Sequence, residues 1–396
     1  MRIAFVTPYL PWPLDAGGKI RSYHLLQGLV RGHGVDLFTV HHGDAPELPP
    51  ALRESCRSAF SAALGHGNGH RTRAASALRP FTQTLAHFQG KAALAEIRGR
   101  LAAGRYDLLV ADELCMVPYV TGLPGRKLAA RQKIEHQHHA ALAARRPAGP
   151  RRLLETLDLG RLRRLERRAM AAVDAAVCCS DQDAALLQGL SPSVSVAVVA
   201  NGVDPDHFRP SGEANGPPTL LFLGTLDYPP NIDALGHFFG AIHPRLLQLV
   251  PDLRVSIVGR TPAREVQAYA SRAGVTVAGS VPDIRPHLAE AAALVVPLRV
   301  GGGTRIKILE ALAAARAVVS STVGAEGLDV RDGEHLLVAD EPSAFAAACA
   351  RLLSDASLRL RLAEAGRRLV VERYAWSRLG GRFAELCARV AATGKP

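Results

Sequence analysis

Short, continuous apolar runs recur along the chain. Each is followed by a longer stretch whose apolar positions fall three or four apart. The short runs predict strands buried on both faces, and the longer stretches predict helices laid across them. In the first half the runs predict strands over 3–7, 35–40, 108–111, 132–135, 175–179 and 195–199. Helices are predicted over 20–30, 92–103, 151–172 and 181–189. The second half repeats the alternation, with strands over 220–223, 255–258, 275–278, 294–297, 317–320 and 336–338. Its helices are predicted over 231–249, 284–292 and 305–315, and along most of 342–391. Residues 43–90 are less regular and include the loop-like Gly65-His66-Gly67-Asn68-Gly69.

Strand–helix alternation in both halves predicts an α/β protein of two doubly wound, Rossmann-like domains, 1–200 and 201–375. A last helix over 376–396 is expected to pack back on the first domain. Pro205, Pro210, Ser211, Gly212, Gly216, Pro217 and Pro218 interrupt the pattern and mark the linker. Ligands of such sheets bind beyond the carboxyl ends of the strands, so the expected site is a cleft where the two domains face one another.

Length and composition fit this picture. The chain has 396 residues, of which 48% are hydrophobic. No apolar stretch approaches the roughly 18–20 residues that span a bilayer. The opening Met1-Arg2-Ile3-Ala4-Phe5-Val6 enters a strand at once, without the pattern of a signal peptide. A cytoplasmic protein is expected. Cys56, Cys115, Cys178, Cys179, Cys349 and Cys387 form no Cys-x-x-Cys and read as buried free thiols.

Charge is uneven. Residues 1–200 carry 26 Lys and Arg against 16 Asp and Glu, whereas the remainder carries 22 against 20. A basic half suggests an anionic partner. Its densest run, 145–168, interleaves Arg161, Arg163, Arg164, Arg167 and Arg168 with Leu153, Leu154, Leu157, Leu162 and Leu165. Two readings stand: a basic amphipathic helix touching lipid headgroups at the inner membrane face, or an ordinary solvated arginine face. Nothing in the spacing of basic and aromatic residues points to nucleic acid.

The chemistry concentrates in three places. Gly301-Gly302-Gly303-Thr304-Arg305-Ile306-Lys307-Ile308-Leu309-Glu310 runs from a predicted strand into a predicted helix. Glycines there let backbone amides approach an anion, the helix dipole favours it, and Arg305 and Lys307 add cations. Glu310 could accept hydrogen bonds from sugar hydroxyls. A diphosphate with a ribose suits that set. Gly17-Gly18, with Lys19 and Arg21, forms a second turn of the same kind after the Pro-rich loop that follows the first strand. Neither turn is a P-loop or a dinucleotide fingerprint.

Glu135-His136-Gln137-His138-His139 is expected to end a strand. The spacing is not a zinc signature, and one histidine aimed at a sugar hydroxyl or a developing charge is the better reading. Asp181-Gln182-Asp183 follows Ser180 as a helix-capping box, and Asp204-Pro205-Asp206 lies in the linker. Both read as structural rather than metal-binding.

The ordered set of motifs resembles the retaining glycosyltransferases of family four, of GT-B fold. Leu221-Phe222-Leu223-Gly224-Thr225-Leu226-Asp227 resembles the opening of that family's second domain. Asn201-Gly202-Val203-Asp204 with Phe208 resembles the approach to it. Gly17-Gly18 resembles its N-terminal glycine loop, and Glu135-His136-Gln137 its histidine motif. Val281-Pro282-Asp283, Pro297-Leu298 and the 301–310 run resemble its donor site.

The resemblance implies transfer of a sugar, with retention, from a UDP- or GDP-linked donor to an acceptor hydroxyl, with no cofactor and no metal. The acceptor would be a small molecule or a lipid-linked sugar, in polysaccharide or natural-product biosynthesis. It implies that Gly17 and Gly18 meet donor phosphate and that His136 meets the transferring sugar. Gly302, Gly303, Thr304, Arg305 and Lys307 would hold the diphosphate. Glu310 would hold the ribose and Val281 the base, with Gly224 and Thr225 lining the site.

Two departures stand out. Gly302 occupies a place where relatives often carry a glutamate, and 225–231 lacks the arginine and lysine common there. Arg305 and Lys307 are expected to compensate. A sugar-nucleotide epimerase of the same fold, and a non-catalytic nucleotide- or lipid-binding protein, are the alternative readings.

Overall fold

The computed structural model describes residues 1–65, 85, 87–212, 216–301 and 303–395. The chain divides into two compact units, Met1–Ala200 with Leu379–Pro396, and Asn201–Arg378. Residues 66–69 of the predicted glycine-rich loop, and Gly302, lie outside the described residues.

Unit 1 is built on a parallel sheet: β1 (Arg2–Thr7), β2 (Gly34–His41), β3 (Ser58–Ala63), β4 (Leu108–Asp112), β5 (Arg126–Ala130), β6 (Ala175–Cys178) and β7 (Ser195–Val198). The spatial order is β3-β2-β1-β4-β5-β6-β7. Unit 2 repeats the design with β8 (Thr219–Leu223), β9 (Arg254–Val258), β10 (Val275–Gly279), β11 (Ala293–Val296), β12 (Ala317–Ser320) and β13 (Leu337–Val338), in the order β10-β9-β8-β11-β12-β13. These are Rossmann-like, doubly wound sheets, as the alternation predicts.

The central strands are apolar without alternation because helices cover both faces. Ile3, Ala4, Phe5 and Val6 of β1, and Leu294 and Val296 of β11, are fully buried. In each sheet the winding reverses once, between β1 and β4 and between β8 and β11. At such a switch point the loops after neighbouring strands part and leave a crevice at the carboxyl ends.

The structure corrects three expectations. The fifth strand is not 132–135 but Arg126–Ala130, and Glu135 opens a helix, Glu135–Ala144. Lys133 and Glu135 would each have faced a neighbouring strand or helix there, whereas Leu128, Ala129 and Ala130 are wholly buried. An edge strand, β3, lies within the stretch read as irregular. Its sequence, Ser58-Ala59-Phe60-Ser61-Ala62-Ala63, has few strand formers, and pairing with β2 supplies the order. The helix expected over 231–249 is three pieces, Pro229–His237, a π turn at Phe238–Ile242, and His243–Leu249. Pro244 has no N–H to give and its ring would strike the preceding turn, so the helix widens ahead of it.

The Trp376–Thr393 helix crosses the Gly17–Val30 helix at Gly28 and Gly380. A Cβ on Gly28 would run into the Gly380 backbone, and one on Gly380 would lie 3.1 Å from the Gly28 Cα. The crossing therefore needs two residues without side chains. Gly28→Val is expected to cost about 1–3 kcal/mol through overpacking. Differential scanning calorimetry should show the melting temperature falling by roughly 2–10 °C. Gly99→Ala, in a helix with open space around it, should leave it unchanged or higher.

Candidate functional site

The two switch points gather most of the residues that the sequence singles out. In unit 2, β8 ends at Leu223 and the chain turns at Gly224. A Cβ on Gly224 would lie 2.6 Å from Asn231 Nδ2 and 2.9 Å from Lys307 Nζ. Lys307 Nζ donates to Asn231 Oδ1 at 3.2 Å and sits 4.7 Å from the centre of the Phe222 ring. Asn231 Nδ2 in turn donates to the Thr225 carbonyl at 2.8 Å. Residues 225–231 carry no cation, and the one beside Gly224 comes from elsewhere in the chain. An ammonium from the Ile306–Ala313 helix reaches the place beside Gly224.

After β11 the chain passes Gly301 to Thr304 and enters the Ile306–Ala313 helix, with Arg305 as an extended N-cap that offers no capping side chain. The first amides of that helix are therefore left for a ligand. Gly303 has φ 70°, a left-handed conformation suited to glycine. A Cβ on Gly301 would lie 2.6 Å from Arg305 Nη2. The buried Arg305 guanidinium donates to the carbonyls of Gly303 and, at 3.2 Å, Val323. Thr304 is buried, and its Oγ1 has no hydrogen-bond partner among the described residues.

Burial, and then the neighbouring Arg305, lower the Lys307 ammonium to about 7, against the opposing pull of Glu310. Burial raises the Glu310 carboxyl to about 7, with Lys307 acting against it. Beyond Glu310, the half-exposed Glu326 lies 4.0 Å from Arg305, and a diphosphate would add negative charge to the cluster. Val281 stands apart, half-buried beyond the carboxyl end of β10 and two strands from β8.

In unit 1 the Gly17–Val30 helix starts three residues earlier than expected. Gly17 and Gly18 form its first turn, behind an Ala16 that caps nothing with its side chain. A Cβ on Gly18 would collide with Tyr9 Oη and lie 3.2 Å from Gln132 Oε1. Ser22 Oγ donates to the Gly18 carbonyl at 2.9 Å and pairs with Asp112, the last residue of β4. Burial raises Asp112 to about 6 despite Ser22 and Arg21. Arg21 is itself buried, donating to the carbonyls of Val199 and Ala200 at 2.9 and 3.1 Å.

His136 occupies the first turn of the Glu135–Ala144 helix, not a strand end. Its Nδ1 donates to Glu166 Oε2 at 2.5 Å, which fixes the orientation of the ring. Glu166 also accepts the Glu135 amide at 3.1 Å and pairs with the fully buried Arg131, which pairs with Glu135 as well. Burial would raise the Glu166 carboxyl. The Arg131 charge and the His136 hydrogen bond overcome this and hold it below the usual carboxylate range.

Glu166 was not legible as a site residue. It lies within the arginine run, on the Pro150–Met170 helix. The signal was its spacing: Glu155, Asp158, Leu162, Glu166 and Met170 share one face, and all are buried. Leu153 and Leu157 point out, at 62% and 63% exposure.

The remaining acidic pairs have structural roles. Asp183 caps its helix with Ser180, whose Oγ accepts the Asp183 amide. Asp204 Oδ1 accepts the amides of Asp206 and His207 at 3.0 and 3.1 Å. All six cysteines are buried free thiols, as expected.

Family models match both halves of the chain: "Glycosyltransferase Family 4" over residues 16–207 and "Glycosyl transferases group 1" over 217–355. The phosphatidyl-myo-inositol mannosyltransferase of Mycobacterium tuberculosis is 34% identical over 215 residues, covering 50% of this chain and 54% of that protein. The chain thus spans about half the length of the curated relatives it matches. An uncharacterized 44.6 kDa protein in the cps region of Klebsiella pneumoniae is 25% identical over 32% of this chain and 35% of its own.

Among solved structures, sucrose-phosphate synthase of Thermosynechococcus elongatus superposes with a TM-score of 0.74 at 18% identity, over 99% of both chains. Anabaena HepE in complex with UDP and glucose superposes with a TM-score of 0.70 at 13% identity, over 98% of this chain and 99% of that one. These structures share the fold.

Removing Glu166 would leave Arg131 buried beside one carboxylate instead of two. Glu166→Ala is expected to destabilise the protein by about 3–5 kcal/mol, read from urea unfolding. Because the folded Glu166 carboxyl titrates below its unfolded value, its contribution is present above the unfolded value. It fades as pH falls toward the folded one. Unfolding measured down the acid limb should therefore show a shallower loss in Glu166→Gln than in wild type.

Proposed function

This chain belongs to the family-four glycosyltransferases, and we propose that it moves a sugar from a UDP- or GDP-linked donor to an acceptor hydroxyl with retention of configuration. One observation carries the donor assignment. At the β8/β11 switch point Lys307 lies beside Gly224 and Arg305 beside Gly301, at the start of a helix without a capping side chain. The leaving group of such a transfer is a diphosphate, and stabilising its growing charge is the largest contribution a protein can make. Arg305, Lys307 and the amides of Gly303, Thr304 and Ile306 supply that stabilisation without a metal. Glu310 takes the ribose hydroxyls, Thr225 lines the same turn, and Val281 meets the base through its backbone. Gly302 belongs to the same loop in this assignment.

In the same reading His136, whose ring Glu166 holds, is assigned to the transferring sugar, and the Gly17-Gly18 amides to donor phosphate. An imidazole hydrogen-bonded to a sugar hydroxyl positions the sugar ring for reaction.

A lipid-borne acceptor is favoured over a small one. On the Pro150–Met170 helix the outward Leu153 and Leu157 stand among exposed Arg151, Arg152, Arg161 and Arg164. Leucines amid arginines suit the boundary between headgroups and acyl chains. No helix among the described residues is long and apolar enough to cross a membrane, so such contact would be peripheral. The mycobacterial relative's name, phosphatidyl-myo-inositol mannosyltransferase, points the same way.

Titration calorimetry with UDP, GDP and their sugar conjugates tests the donor site. Lys307 titrates near 7 without ligand, and a bound diphosphate favours its protonated form. Affinity should therefore weaken as pH rises from 6 to 8.5, with proton uptake on binding above neutral pH. Glu310→Ala, and Arg305→Ala with Lys307→Ala, should each weaken binding about 10- to 100-fold, the worth of charged hydrogen bonds. The pH dependence should shrink in Lys307→Ala, the remainder coming from Glu310, whose carboxyl is also raised to about 7. Unchanged affinity in both variants would remove the donor assignment.

A further inference from the structure

We propose that Glu113 is an acceptor-binding residue, whose carboxyl hydrogen-bonds a hydroxyl of a neutral, polyhydroxylated acceptor in the β1/β4 crevice of unit 1. This rests on the glycosyl-transfer reading above and assigns a residue to its second substrate.

Position is the first support. Glu113 directly follows Asp112, the last residue of β4, at the switch point of the unit 1 sheet. Conformation is the second. Glu113 has φ 82° and ψ 154°, a region that is essentially reserved for glycine and costs a side-chain-bearing residue about 1–3 kcal/mol. Its backbone is pinned there. The amide donates to the Ala130 carbonyl at 2.8 Å, and the carbonyl accepts the Met116 amide at 3.1 Å. Glycine would serve this turn without strain, so the glutamate side chain is kept at a cost.

The third support is an unsatisfied group. Glu113 Oε2 is shut off from solvent and has no hydrogen-bond partner among the described residues. The groups that act on this carboxyl are Glu135, Asp112, Lys133 and Arg131, and it acts in turn on Tyr9 and Cys115. Arg131 already pairs with Glu135 and Glu166. Burial, and then the Glu135 and Asp112 charges, raise the Glu113 carboxyl well above the usual range. A protonated carboxyl both donates and accepts, as a hydroxyl does, so the two are matched partners.

The surroundings select the ligand class. An anion would meet Asp112 and Glu135, and a cation would meet Lys133 and Arg131. A neutral molecule rich in hydroxyls is repelled by neither. Tyr9, whose hydroxyl bonds Ser22 and Gln132, borders the same space.

The test uses the full chain and three probes, glycerol, methyl α-D-glucopyranoside and methyl α-D-mannopyranoside, followed by saturation-transfer NMR without nucleotide. Wild type is expected to bind at least one probe. Glu113→Gly, which removes the carboxyl but suits the backbone, should weaken that probe at least about 5-fold, the worth of one hydrogen bond. Glu113→Gln, which keeps a donor and an acceptor, should weaken it less. UDP and GDP affinities should stay within about 2-fold, and the Glu113→Gly melting temperature should equal or exceed that of wild type. The proposal is overturned if no probe binds wild type, or if Glu113→Gly binds the probe unchanged. It is also overturned if melting temperature and nucleotide affinity fall together in Glu113→Gly, which would make the carboxyl a prop of the fold. Failure of wild type to bind UDP or GDP bears on the donor reading instead, because the probe titration contains no nucleotide.

Discussion

A cation withdrawn from water must be met by negative charge, and that requirement organises the carboxyl ends of both sheets. In unit 1 the Arg131 guanidinium, fully buried just beyond β5, is met from within by Glu135 and Glu166. Meeting it brings the Pro150–Met170 helix against the loop after β5, and the second oxygen of Glu166 then fixes the His136 ring. In unit 2 Arg305 and Lys307 are buried together; Glu310, which opposes Lys307, is itself driven toward neutrality, and Arg305 reaches Glu326 at 4.0 Å. Unit 1 thus meets its buried cation with two carboxylates of its own, whereas unit 2 opposes its two buried cations more weakly.

Winding direction decides where these charges can act. The crevice at β1/β4 receives the loop after β1, the first turn of the Gly17–Val30 helix and the residues after β4. The crevice at β8/β11 receives Gly224 and the 301–305 loop. Backbone must approach side chain closely in both, which is why Gly18 abuts Tyr9 and Gln132, and why Gly224 abuts Asn231 and Lys307. Helices that start at these crevices with Ala16 and Arg305 in the cap position bring amides but no competing side-chain acceptor.

Most of the fold was legible because strands buried on both faces read as unbroken apolar runs, as β1, β8 and β11 do. β3 was hidden because Ser58-Ala59-Phe60-Ser61-Ala62-Ala63 carries no such signal and is ordered by its neighbour. β5 was displaced by five or six residues because it opens on Arg126 and Lys127, which let the following polar stretch compete for the same place. The glycine loops, His136 and Glu310 were legible as motifs, since local residue types carry their chemistry. Glu166 and Glu113 were not. A glutamate among arginines looks like a solvated partner, and a strained φ leaves no mark on sequence. Both depend on what the chain brings near them after folding.

The lack of any cation in 225–231, which carries Asp227 alone among charged residues, follows from the same electrostatics. The Lys307 ammonium already lies beside Gly224 and Asn231, and burial with Arg305 has already lowered its affinity for a proton. A further arginine or lysine on the β8 turn would crowd a third cation into the same low-dielectric space. Repulsion would then drive one of them to lose its proton or swing out to water. Asn231 instead accepts from Lys307 with Oδ1 and donates to the Thr225 carbonyl with Nδ2. It thereby holds the ammonium in place without adding charge. A site of this kind constrains where its positive charge lies more tightly than which helix supplies it, and here the helix after β11 supplies both cations.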